Sequence, residues 1–143
     1  MKFWDSSAIV PLLVEEPASS RCRALLRDDP AMAAWALART EAVSAVRRKE
    51  RAGELTREAT AAALRRGRAL AEAWTEVDAL GPVRDRAERV LAVHVLRAAD
   101  ALQLAAALLL VQERPEGWPF VTLDDRLAAA AAAEGFEVIV PAP

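Results

Sequence analysis

The chain holds one cysteine, Cys22, and one histidine, His94, among 143 residues. A lone thiol makes no internal disulfide, which suits a reducing compartment. A lone imidazole leaves a histidine-based triad, or a zinc site built from several His and Cys ligands, without its parts. His94 stands between Val93 and Val95 and reads as a structural or exposed residue on a helix flank. The five glycines are scattered, so no glycine-rich phosphate loop exists. Charge excess is missing too: the net charge is −2, and no global basic field advertises nucleic-acid binding. A local basic patch or bound metal ions can still supply that attraction. The run Ala101–Val111 is apolar apart from Gln103, but too short to span a bilayer, and no membrane partner is expected. Met1–Asp5 enters a strand at once, without the charged and apolar regions of a secretory leader. The expected location is cytoplasmic.

Apolar residues recur along the whole length, and 143 residues suffice for one domain with a proper core. Short apolar strands are expected at Lys2–Asp5, Met32–Trp35, Trp74–Val77, Phe120–Leu123 and Phe136–Val140. Helices are expected over Ser6–Val14, Arg21–Arg27, Leu37–Arg51, Thr56–Ala73, Val83–Leu96, Asp100–Glu113 and Asp125–Ala133. Gly81-Pro82 reads as punctuation, and Pro115–Pro119 as a loop. Strands alternating with helices predict an α/β fold: one domain over 1–143, a central parallel sheet flanked by helices, with helical hairpins inserted between strands.

Against this frame, four acidic positions stand out. Asp5 ends a strand and precedes a helix, where ligands bind in open α/β sheets; Ser6 or Ser7 can cap that helix unaided. Glu41 lies on a helix face with Leu37, Ser44, Ala45 and Arg48, small and mostly apolar. Its bland reading is an ion pair with Arg48 or a neighbour. Asp100, with Gln103 three residues on, has the spacing of a capping box, and taken alone the cap is preferred. Asp124 and Asp125 follow a strand and open a helix; one can cap while the other enters a cleft. Carboxylates gathered at strand ends repel one another unless a positive charge sits among them. The fitting charge is a hard, oxygen-preferring divalent cation, which directs the chemistry toward phosphate esters. The conjunction of the four positions carries this reading, not any one of them.

Residues 39–68 carry nine basic side chains against four acids. The commoner meaning is a solvated hairpin. The functional one is a ramp for an RNA backbone, with Arg47, Arg48 and Lys49 at its centre. Leu25, Leu26, Val43, Val46, Leu55 and Leu64 lie amid these arginines, and some are expected to form a groove for a partner's apolar helix.

These residues resemble a known family. Trp4-Asp5-Ser6-Ser7-Ala8-Ile9-Val10, Thr40-Glu41-Ala42-Val43-Ser44, Ala99-Asp100-Ala101-Leu102-Gln103 and Val121-Thr122-Leu123-Asp124-Asp125 are similar, in order, to the four motifs of a PIN domain of the VapC toxin type. The resemblance covers nearly the whole chain. It implies an endoribonuclease, usually the toxin of a toxin–antitoxin pair, with a small antitoxin protein as partner and a homodimer as one assembly. It implies Asp5, Glu41, Asp100 and Asp124 as the acid set, with Asp5, Asp100 and Asp124 holding Mg2+ or Mn2+. Ser7, Thr122 and Asp125 would support them, and cleavage would leave a 5′-phosphate and a 3′-hydroxyl. Gln103 stands where many relatives carry His, and Trp4 is bulkier than usual. The alternatives are a non-catalytic PIN-like RNA-binding domain and a metal-dependent phosphatase. Four intact acids argue against the first, and Ser7, where a phosphatase usually has its second Asp, against the other.

Overall fold

The computed structural model describes all 143 residues. Alternation along three short central strands decides the architecture. In β1 (Lys2–Trp4), Phe3 and Trp4 point to opposite faces; Ala33 and Ala34 do the same in β2 (Met32–Trp35), and Phe120 and Val121 in β4 (Pro119–Val121). Both faces of these strands are apolar, so both must be covered, as parallel sheets require. The sheet is completed by β3 (Thr75–Val77) and β5 (Glu137–Ile139), in the order β3-β2-β1-β4-β5, every pair parallel.

Two cores result. One lies under α5 (Leu80–Val93), α6 (Ala98–Leu110) and α7 (Asp125–Glu134), around stacked Phe3 and Phe120 whose ring centroids are 5.2 Å apart. The other lies under α1 (Ser6–Leu13), α2 (Ser19–Asp28), α3 (Ala38–Arg51) and α4 (Arg57–Ala73). Trp4 is fully buried there, which accounts for its bulk beside Asp5. Leu25 and Val46 belong to this second core, and Leu26, Leu55 and Leu64 pack against it. The second core takes up these five side chains, for which one small core would not have room; Val43 instead lines a surface depression with Ala36, Thr40 and Ala71. No helix is long and apolar enough to cross a membrane.

The α3–α4 and α5–α6 hairpins sit between strands as expected, and Thr56 caps α4, its side chain accepting the Ala59 N–H at 3.0 Å. Several boundaries differ. Helix α5 begins at Leu80 and takes in Gly81-Pro82, because a proline in the first turn forfeits only an N–H that has no partner there. It ends at Val93, where His94 turns extended. Helix α6 begins at Ala98 rather than Asp100 and stops at Leu110, before Gln112 and Glu113 adopt positive φ. Helix α1 stops one residue early, and Arg66 Nε donates to the Leu13 carbonyl at 3.1 Å, satisfying its end.

Strand order reverses at β1. The chain builds outward from β1 through β2 to β3, then crosses back to place β4 and β5 on the other side. Such a reversal opens a crevice beyond the carboxyl ends of β1 and β4. Helix α7, which leads from β4 to β5, ends on Gly135 at φ +108. A Cβ at Gly135 would lie 3.2 Å from Pro115, whereas one at Gly53, also at positive φ, meets nothing. Gly53→Ala should therefore cost about 1 kcal/mol, the backbone strain alone, and Gly135→Ala distinctly more. Urea unfolding of the two variants checks this; equal losses would mean that the loop at Pro115 yields.

Candidate active site

Asp5 occupies the N-cap position of α1, yet its side chain makes no cap hydrogen bond. It turns instead into the crevice between β1 and β4, 2 % exposed. There Thr122 Oγ1 donates to Asp5 Oδ2 at 2.7 Å, and Ser7 Oγ donates to the same oxygen. The turn after β4 sets both hydroxyls. Ser7 Oγ accepts the Leu123 N–H at 2.8 Å, and Thr122 Oγ1 accepts the Asp124 N–H at 3.0 Å. With their lone pairs engaged, their protons point at Asp5. Ser7 and Thr122 thus both lie against Asp5, and Ser6 and Ser7 are not the helix caps that the sequence allows.

Glu41 arrives from the first turn of α3, half-buried. Its Oε2 receives Ser6 Oγ at 3.1 Å and its Oε1 receives Gln103 Nε2 at 3.1 Å. No ion pair joins it to Arg48. Ser6 Oγ also lies 3.3 Å from Asp5 Oδ1, so one hydroxyl proton stands between two carboxylates. Gln103 is fully buried in α6, and its Oε1 has no donor. The capping-box reading of Asp100 and Gln103 is overturned. Arg97 is the N-cap residue, Asp100 sits within the first turn, and Gln103 reaches sideways to Glu41. Asp124 does cap α7, accepting the Leu127 N–H through Oδ1 at 2.8 Å and leaving Oδ2 free. Asp125 stays exposed and joins no side-chain hydrogen bond of the group.

Glu41, Asp100 and Asp124 line one hollow of about 470 Å3, together with Ser6, Ser7, Thr40, Ser44, Arg48 and Arg97. All four acids lie at or within the first turn of a helix, whose N-terminal dipoles favour negative charge. That compensation is incomplete. Burial pushes Asp5 above its ordinary carboxyl range against its hydroxyl donors. Burial, then Asp5 and Asp100, push Glu41 up against its two donors. Burial, then Asp124 and Asp5, push Asp100 up, with only Arg97 pulling the other way. The group is short of positive charge.

The donors suit a hard cation, since every ligand offered is oxygen. No three acids stand close enough to hold an ion by themselves. The residues therefore fit an ion of the magnesium type, which takes one or two carboxylates and keeps several waters. Asp100, without a hydrogen-bond partner, and the free Oδ2 of Asp124 are the available direct donors.

The PIN domain family profile matches residues 2–133, a span that contains both hydroxyl clamps and all four acids. The chain belongs to the PIN domain family. No curated protein matches it by sequence. PIN domains are generally metal-dependent nucleases, and the five-stranded parallel sheet with seven flanking helices is that fold.

Of the basic cluster in this PIN domain, only Arg48 borders the acid hollow. Arg47 pairs with Glu50 at 3.0 Å, and Lys49 pairs with Glu16 and Glu54 at 2.9 and 3.3 Å. Sequence reasoning missed Arg97, Ser6 and the Glu41 contact of Gln103. Gln103 left a signal, as the single polar residue inside an apolar helix. Arg97 left none, because its place depends on where α5 ends. His94 is structural, its Nε2 2.7 Å from Glu134 Oε1.

The raised carboxyls carry a pH consequence. A group whose folded pKa lies above its unfolded value binds its proton more tightly when folded, so stability falls as pH climbs through that window. For Asp5, Glu41 and Asp100 the window opens at 3.8, 4.5 and 3.8 and closes at the raised values. In chelator, Asp100→Asn should raise the melting temperature at about pH 7 and flatten its decline between acid and neutral pH. Scanning calorimetry with EDTA tests this; a lower melting temperature for the variant would mean that the carboxylates are not repelling one another.

Proposed function

We propose that this PIN domain is a Mg2+- or Mn2+-dependent endoribonuclease, and that it serves as the toxin of a toxin–antitoxin pair. The observation that carries the nuclease reading is the hollow at the β1/β4 crevice. It combines three carboxylates with Arg48 and Arg97 beside a clamped, buried Asp5. Asp100 and Asp124 would hold the cation directly, and Asp5 would hold it through one of its waters. When bound, it would polarise a phosphate oxygen and make water a better nucleophile near neutral pH.

The chain's own residues do the rest. Ser7 and Thr122 fix Asp5, and its remaining oxygen meets Ser6, which lines the hollow. Ser6 and Gln103 fix Glu41, whose raised pKa suits a group that accepts a proton from the attacking water. Arg48 and Arg97 offset phosphate charge at the two sides. Water oxygen bonds to phosphorus as the bond to the 3′ oxygen breaks. That oxygen takes up a proton, leaving a 5′-phosphate and a 3′-hydroxyl. No side-chain nucleophile is needed. The four intact acids favour this reading over a non-catalytic RNA-binding domain, and Ser7 in place of a second Asp disfavours a phosphatase.

The toxin role rests on the resemblance of the four motifs. Its partner would be a small antitoxin protein that places a charged group near the acids, and co-expression with a neighbouring small reading frame should yield a stable, inactive complex. Co-purification with cleavage untouched would contradict blocking of the site.

Asp100→Asn and Asp5→Asn should each weaken Mn2+ binding in calorimetric titration. Each should also lower RNA cleavage by at least about 100-fold, since even outer partners of metal ligands are worth 10–100-fold. Both should keep the native circular dichroism spectrum. Unchanged Mn2+ binding in both would dismiss the shared metal site.

A further inference from the structure

We infer that a single strand of RNA crosses the acid hollow from Arg48 to Arg97 and Arg126, rather than running along the basic ladder of α3. The inference rests on the nuclease reading of the hollow and adds the path of the substrate.

Three depressions follow one another across the surface. The acid hollow of about 470 Å3 shares Ser7, Val10, Ala45 and Arg48 with a neighbour of about 430 Å3 on the α3 side. On another side it shares Arg97, Asp100 and Asp124 with one of about 380 Å3, which Leu123, Asp125 and Arg126 also line. The trough is therefore continuous, with an arginine at each junction and another, Arg126, in the last depression.

Arg48, Arg97 and Arg126 are exposed and join no ion pair. Their guanidinium groups are free for phosphate oxygens. Arg47 and Lys49, the other members of the sequence cluster, are already paired with acids. Positive charge thus flanks the carboxylates on both sides. A backbone of evenly spaced phosphates fits this arrangement: outer phosphates meet arginines, and the central one meets the acid group with its cation. A free phosphate would need only one of the arginines. The sugar is addressed by Thr40 and Ser44, exposed hydroxyls that line the hollow and make no hydrogen bond within the protein. They offer partners to a ribose 2′-hydroxyl, the group that separates RNA from DNA.

The test is fluorescence anisotropy with a labelled single-stranded RNA of about 12 nucleotides, a length that one single-strand groove covers. All proteins carry Asp100→Asn, which removes one repelling acid and stops cleavage, and EDTA is present. Adding Arg97→Gln with Arg126→Gln should weaken binding about 20-fold at ~0.1 M salt and reduce the salt slope by about 1.4, the share of two phosphate contacts on a single strand. Adding Arg47→Gln instead should change neither. The same sequence as DNA should bind more weakly. The path is overturned if the double variant binds as its parent does, if Arg47→Gln causes the larger loss, or if the parent binds no oligonucleotide. DNA binding as tightly as RNA would overturn the ribose contact. Because cleavage plays no part, a negative result here leaves metal-dependent activity of the unaltered protein to stand or fall separately.

Discussion

A carboxylate buried between two central strands has to be held by something, and the grip on Asp5 is what the rest of this site depends on. Two backbone N–H groups from the turn after β4, those of Leu123 and Asp124, each orient a hydroxyl, and both hydroxyls donate to one oxygen of Asp5. This fixes β1, α1 and the β4–α7 turn relative to one another with side chains of only two residues, Ser7 and Thr122. It also leaves the second oxygen of Asp5 with nothing better than a share of the Ser6 proton. The fold thus supplies enough donors to bury the acid and too few to satisfy it. Glu41 and Asp100 add to the deficit, because each is desolvated and each feels its acidic neighbours. A cation placed among them would relieve all of these terms together.

The same economy explains why so acidic a centre can serve a polyanion. The protein as a whole is weakly negative, and its basic stretch, residues 39–68, reaches the acid hollow only through Arg48. What matters is local: Arg48 and Arg97 border the acid hollow from different elements, α3 and the connection before α6. The hairpin's other arginines do not line the hollow, and two of them are engaged within the protein. Arg66 holds the end of α1, and Arg47 is paired on its own helix.

How much of this could be read from the sequence follows from which physics is local. Short apolar runs at Lys2–Trp4 and Met32–Trp35, separated by long helical patterns, sufficed for a parallel sheet, and Thr56 announced the start of α4. The four acids were legible as a set because each follows a strand or begins a helix. Their roles were not. Whether Asp100 capped α6 turned on a two-residue shift of the helix start, and that shift depends on His94 leaving helical geometry. The partners of Gln103 and Ser6 are 62 and 35 residues away along the chain, beyond any local pattern. The apolar side chains of α2, α3 and α4 looked too many for one core because the second core, on the opposite sheet face, is a tertiary fact.

The site depends before all else on Asp5, Glu41 and Asp100 being held together short of positive charge. Carbon-13 NMR titration of the side-chain carboxyls, without metal and again with Mg2+, measures that directly. The account predicts that all three titrate above the ordinary carboxyl range in the metal-free protein and move down together when Mg2+ is added. Ordinary titration of the three, unmoved by Mg2+, would contradict it.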